Sequence, residues 1–187
     1  EILSGLVGSE MCIRDRDKIS PVMRQAQIAI EDNRFYSHGA IDLRGTMRAL
    51  VSNMGGASTQ GGSTLTQQYV KQARIEMAVS AGDEEGVRSA QEQTVSRKLQ
   101  ELRYAIALEH DLSKDQILER YLNIAYYGDG AYGVEAAAKH YFGVTADKLD
   151  LGQAAMLAGL VQNPVSYDPV NNPEAAITRR NLSLIHI

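Results

Sequence analysis

Helix starts are written into this chain more plainly than any other feature, and they leave little room for a sheet. Thr64 and Gln67, Ser113 and Gln116, and Asp150 and Gln153 each stand three residues apart at the head of an apolar-periodic run. At that spacing the first side chain accepts from a backbone N–H of the new helix while the second reaches back, so two otherwise orphaned donors are satisfied. Ser20 followed by Pro21 gives a further start, as cap and first helical residue, with Val22, Ala26, Ala29 and Ile30 recurring at helical spacing. No convincing alternating strand, β-branched run or internal repeat accompanies these signals. The expectation is a mainly α domain, with room for a small hairpin only near residues 54–62 or 73–93.

The first helix carries Glu31 out at its C-terminal end. A second is expected from Asp42, as N-cap, to Leu50, where Gly55, Gly56 and a Ser/Thr/Gln/Gly stretch break it. The third begins at Thr64. Residues 73–93 then turn polar, with AGDEEG at 81–86, and read as a mobile excursion with hinges at Gly82 and Gly86. Helical periodicity returns over residues 95–112 through Leu99, Leu102, Ile106 and Leu108, and the helix capped by Asp150 ends before Pro164.

Composition narrows the function classes. Of 187 residues, 44% are apolar and 22% charged, which suits one globular domain. A net charge of −4 argues against a general nucleic-acid binder, whose affinity comes from clustered Lys and Arg. The single cysteine, Cys12, excludes an internal disulfide, and the four histidines show no HExxH spacing. No run approaches the ~20 apolar residues of a membrane-spanning helix, the nearest being residues 154–161. The two ends, residues 1–16 and 182–187, resemble translated sequencing-adapter read-through; they are set aside as artefact, with a genuine linker and terminal strand as the alternative, leaving 17–181 as the domain.

Three segments carry chemistry. EDNRFYSHGAID (residues 31–42) sets three acids, an Arg, a His and two aromatics at a helix exit, where they either converge on a cleft or form a polar terminus with Phe35 and Tyr36 packed inward. GGSTLTQQYVK (residues 61–71) places glycines and hydroxyls at a helix N-terminus, an anion site, with Lys71 two turns on and on roughly the same face as Thr64. The alternative is a capped surface helix with Lys71 in solvent. It is not a nucleotide P-loop, whose lysine stands elsewhere. RKLQE (residues 97–101) sets Glu101 on an apolar flank with Ala105 and Leu108, where an acid needs a reason. An internal salt bridge to Arg97 or Lys98 would be reason enough.

With ILERYLNIAYYGDGAYGVEAAAKHYFG (117–143), QAAMLAGLVQNPVSYDP (153–169) and the closing RRN (179–181), these segments resemble the glycosyltransferase family 51 domain of class A penicillin-binding proteins and monofunctional transglycosylases. The wording looks closest to actinobacterial members. The resemblance covers residues 17–181. It implies a lysozyme-like, mostly helical fold with a small membrane-facing jaw lobe, at the extracytoplasmic face of the bacterial cell membrane. The implied reaction polymerises lipid II: the growing glycan is donor, the 4-hydroxyl of the incoming lipid II attacks, undecaprenyl pyrophosphate leaves, and a β-1,4 link forms with inversion. The implied partners are lipid II, the growing glycan chain, the membrane surface and, in the full protein, a C-terminal transpeptidase domain.

By the same resemblance Glu31 matches the catalytic base and Glu101 the second glutamate, near the departing pyrophosphate, assisting it directly or through a divalent cation such as Mg or Mn. Arg48, Ser63, Gln67 and Lys71 match positions around the donor's phosphates and sugars, and Arg97 and Lys98 match the family's basic pair. Tyr121, Asn123, Tyr126 and Gly128 belong to a motif that braces the fold. Inversion predicts the two carboxyl groups roughly 6 to 10 Å apart, by analogy with inverting glycosidases, and Arg34 or Lys71 is expected to favour ionised Glu31. Gln72 and Gln100 depart from the family's usual Asn and cation, and residues 73–93 are longer than in compact members. A lysozyme-like peptidoglycan-cleaving enzyme and an inactive scaffold domain are the competing readings.

Overall fold

The computed structural model describes residues 18–42 and 62–186. The expected helix after Asp42, residues 43–50 with Arg48, and residues 1–16 lie outside them. Among the described residues the backbone is helical, without a strand and with one antiparallel bridge between Tyr126 and Tyr132. The helices are α1 (Pro21–Glu31), α2 (Leu65–Ser80), α3 (Glu84–Gln91), α4 (Val95–Asp111), α5 (Lys114–Ile124), α6 (Val134–Phe142), α7 (Leu151–Leu160) and α8 (Pro173–His186). Short 3₁₀ turns lie at Phe35–Ser37 and Ala146–Lys148. This is the mainly α class that a lysozyme-like domain requires.

The helix starts form as the side chains dictate, with two differences. Ser113 with Gln116, and Asp150 with Gln153, exchange both capping bonds. Thr64 accepts from the Gln67 N–H at 3.3 Å, but the Gln67 side chain does not reach back. Its Nε2 donates instead to the Ala40 carbonyl at 2.8 Å, beside the Thr64 hydroxyl at 3.2 Å on the same oxygen. Ser20 does not cap α1 with its side chain either; its hydroxyl donates to the Leu149 carbonyl at 3.0 Å and ties the helix to a distant turn.

Residues 73–93, read as a mobile excursion, are mostly helix. Helix α2 runs on to Ser80, and Asp83 then caps α3 by accepting from Gly86 N–H at 2.8 Å. Glu84 and Glu85 in the first turn and Arg88 in the last complement the helix dipole. Gly82, at φ +67°, makes the turn between the two helices, a conformation that disfavours a side chain. Gly86 lies inside α3 and bends nothing.

The chain forms two compact units. In the first, which holds described residues 34–42 and 62–117, α2 packs on α3 and α4 around Leu65, Tyr69, Val70, Ala105 and Leu108. The buried face of α4 carries Glu101, Ala105 and Leu108. Leu99 and Ile106, whose spacing marks the helix, are 57% and 52% exposed and share an outward stripe with Val95 at 78%. The helix has more apolar residues than one buried face uses.

In the second unit, residues 18–33 and 118–186, α1 and α8 both pack on α7. Its core holds Met23, Ala26, Tyr121, Leu122, Tyr127, Val134 and Leu157. Gly159 lets α7 and α8 close up, since a Cβ there would lie 3.0 Å from the Arg179 side chain and 3.3 Å from the Ser183 hydroxyl. Gly133 starts α6 at φ +80°, where a Cβ would collide with the Asn123 carbonyl. Residues 182–186 continue α8. Ile185 is 77% exposed, as poor packing there requires, but Ser183 is fully buried and donates to the Arg179 carbonyl at 3.1 Å.

Candidate active site

Within the first unit the structure brings together Ser63, Lys98, Arg97 and Glu101. Thr94 caps α4 by accepting from Arg97 N–H, so the helix begins in register to place Arg97, Lys98 and Glu101 on adjoining turns. Glu101 is 1% exposed. An isolated carboxylate there would be costly, and two cations answer it. Arg97 Nη1 hydrogen-bonds Oε1, and Lys98 Nζ stands 3.5 Å from Oε2. The internal ion pairs anticipated from the RKLQE spacing therefore both form.

Lys98 reaches further. Its ammonium donates to Ser63 Oγ at 2.7 Å, joining α4 to the residue just ahead of the α2 cap. Burial pushes the Lys98 pKa below the ordinary lysine value, against the raising pull of Glu101; Arg97 and Lys71 push the same way as burial. Lys71 is thus near enough to share the field, and three cations with one buried acid face this part of the unit. Such a group suits a ligand bringing more negative charge, as a phosphate would. Gln67, in contrast, is buried and turned to the Ala40 carbonyl.

Each Glu101 oxygen already faces a cation, and among the described residues no group of three or more metal-competent acids or histidines includes Glu101, so a divalent ion here would take its oxygen ligands mainly from the substrate's phosphates.

Glu31 belongs to the second unit and is the last residue of α1. One turn before it, Gln27 is fully buried, and among the described residues neither of its amide atoms is hydrogen-bonded. Tyr121 on α5 is fully buried as well; burial raises its hydroxyl pKa well above the ordinary value, and the nearby Glu31 and Tyr127 raise it further. The sequence places Tyr121 only as a brace; its nearness to Glu31 depends on how α1 and α5 pack, which no local pattern reveals. Arg34 is engaged elsewhere, holding both oxygens of Asp42 at 2.6 and 2.5 Å. Phe35 is buried as expected of an inward aromatic, but Tyr36 is 55% exposed and donates to Asp115 at 2.7 Å. A cavity of about 780 Å³ between α2, α3 and α4 is lined by none of the candidate residues.

Comparison with known proteins decides the family. The transglycosylase family model matches residues 8–187. The chain belongs to the transglycosylase family. It is 44% identical over 170 residues to penicillin-binding protein 1A/1B of Bacillus subtilis (strain 168), covering 90% of this chain and 17% of that protein. It is 43% identical over 166 residues to penicillin-binding protein 1A of Mycolicibacterium smegmatis, covering 88% and 20%. Penicillin-binding protein 1A of Escherichia coli (strain K12) is 41% identical over 169 residues, covering 90% and 18%. The chain therefore spans about a fifth of the length of these relatives. As a transglycosylase domain it is mainly helical, and no described helix is long and apolar enough to cross a membrane.

Proposed function

We propose that this domain is a peptidoglycan glycosyltransferase that polymerises lipid II into β-1,4 glycan strands. The observation that carries the reading is the family match over residues 8–187 together with the cationic group around a buried Glu101, in the segment where the reaction needs a pyrophosphate held. In the proposed step, Glu31 takes the proton from the 4-hydroxyl of the incoming lipid II. That oxygen forms the new bond to C1 of the donor sugar as the C1–O bond to undecaprenyl pyrophosphate breaks, inverting the centre. Lys98, Arg97, Ser63 and Lys71 receive the leaving phosphates, Arg48 completes the set, and Gln67, whose amide is held on the Ala40 carbonyl, braces the start of α2. Glu101, already paired, serves by orienting Arg97 and Lys98 rather than by donating a proton.

Work at the extracytoplasmic membrane surface follows from a lipid-linked substrate, and the exposed stripe of Val95, Leu99 and Ile106 supports a membrane-facing first unit. The relatives' much greater length supports a transpeptidase domain in the full protein. The test is incubation of the purified chain with lipid II and, separately, with polymerised glycan. A glycosyltransferase lengthens the first and leaves the second intact, whereas shortening of the polymer identifies a cleaving enzyme and binding of the phosphoglycolipid inhibitor moenomycin without turnover identifies a scaffold.

A further inference from the structure

Glu109, near the end of α4, meets three other segments of the first unit. Thr66, the second residue of α2, donates its hydroxyl to Glu109 Oε1 at 2.5 Å, and Lys114, the first residue of α5, donates to the same oxygen at 2.7 Å. Thr66 is fully buried; the Glu109 and Lys114 side chains keep 13% and 20% of their surface. The Lys114 ammonium also lies 4.5 Å from the ring centroid of buried Phe35. The other Glu109 oxygen faces Gly39, where a Cβ would stand 3.8 Å away. The same turn of α2 holds residue 40 through Thr64 and Gln67.

Charge-assisted bonds of this kind are short and directional, and a side chain held by one fixes its helix in rotation as well as in place. Helix α4 grips the start of α2 twice, through Lys98 on Ser63 and through Glu109 on Thr66. Only the first contact belongs to the proposed phosphate group. The second lies on the flank of α2, about 100° round the helix from Gln67 and about 140° from Lys71. With Thr64 and Gln67 tied to Ala40 and Ser63 to Lys98, the Thr66 contact adds a hold on a further side of the first turn and so fixes the rotation that keeps Lys71 in line.

We propose that Glu109 is a positioning residue of this transglycosylase: through Thr66 it sets the rotation of α2, and so the stance of Ser63 and Lys71 toward the substrate's phosphate. This rests on the glycosyltransferase reading above. A purely structural role would cost stability wherever the contact is lost. A positioning role shows in substrate affinity at nearly constant stability and returns with the hydroxyl.

The test uses the 187-residue chain with Thr66→Val, which keeps the shape and loses the hydroxyl, Thr66→Ser, which restores it, and Glu109→Gln. KM and kcat for lipid II, the thermal midpoint and amide hydrogen exchange over residues 65–71 are measured together. Thr66→Val is expected to raise KM on the order of tenfold, as a small misplacement of a binding group does, with faster exchange at the start of α2 and a midpoint within a few degrees of wild type. Thr66→Ser returns both. Wild-type KM and exchange in Thr66→Val overturns the proposal, as does a lower midpoint with KM unchanged. Should Glu109→Gln not fold, the Thr66 pair decides alone. A wild-type chain that fails to polymerise sinks the glycosyltransferase reading, and the exchange comparison still tests the grip of Glu109 on α2: equal exchange in Thr66→Val and Thr66→Ser overturns it.

Discussion

Replacing Glu101 by Gln changes one charge at nearly constant volume, so its effect measures what the buried carboxylate does for its two cations. Arg97 retains 14% of its side-chain surface, Lys98 42% and Glu101 only 2%. Removing one partner of a buried pair costs about 3–5 kcal/mol, because the survivor is left uncompensated. The share of Lys98 is discounted to about 0–1 kcal/mol, since water screens it. Gln keeps an acceptor for Arg97 Nη1, and Arg97 Nε already lacks a partner, so a net loss of about 2–3 kcal/mol is expected. For a chain of this size that lowers the thermal midpoint by roughly 4–12 °C. Urea unfolding should show a lower midpoint concentration at unchanged slope. The double variant Glu101→Leu with Arg97→Met removes both charges and should be less destabilised than the sum of the two single changes by about 1–2 kcal/mol. A Glu101→Gln loss below about 0.5 kcal/mol, or strict additivity in the double variant, would refute the ion-pair account.

Four further outcomes are expected. Because Glu101 is what pulls the Lys98 pKa up against burial, Glu101→Gln should lower it further and move the alkaline limb of kcat/KM to lower pH, which NMR titration of the Lys98 side chain checks. Between its lowered folded value and 10.5 the unfolded chain holds more protons at Lys98, so the stability contribution of this residue rises as pH climbs through that window and is lost as pH falls below it. Gly133→Ala should cost about 2 kcal/mol or more, through the φ of +80° and the Asn123 carbonyl, read by urea unfolding. In hydrogen exchange α3 should open before α4, since α3 buries only Ala90 whereas α4 buries Glu101, Ala105 and Leu108; equal protection would contradict it.

Local patterns were readable where the physics is local. The capping pairs at Ser113 and Asp150 formed because both partners lie within one turn, and the Arg97, Lys98 and Glu101 group is likewise one turn of α4. The side chain of Gln67 was misread because its better acceptor, the Ala40 carbonyl, is 27 residues away. Residues 73–93 read as a mobile excursion because their polarity hides the apolar face, yet Ala78 and Ala90 are buried and α3 packs on α2. Leu99 and Ile106 signal the helix by their spacing, but periodicity marks an apolar stripe without saying what covers it, and both are exposed. The contacts of Lys98 with Ser63 and of Thr66 with Glu109 join residues 35 and 43 apart, beyond any spacing rule.

The measurement closest to the central proposal is turnover of lipid II by Glu31→Gln beside wild type, with moenomycin binding as the control for an intact phosphate site. Gln keeps the size of Glu31 at the end of α1 but cannot accept the hydroxyl proton. Loss of a general base typically costs about 10²–10⁴-fold, so polymerisation should fall to background while moenomycin binding stays near wild type, and Glu101→Gln should retain more activity than Glu31→Gln. A Glu31→Gln chain that binds moenomycin and still polymerises at most of the wild-type rate would contradict the assignment and place the base elsewhere.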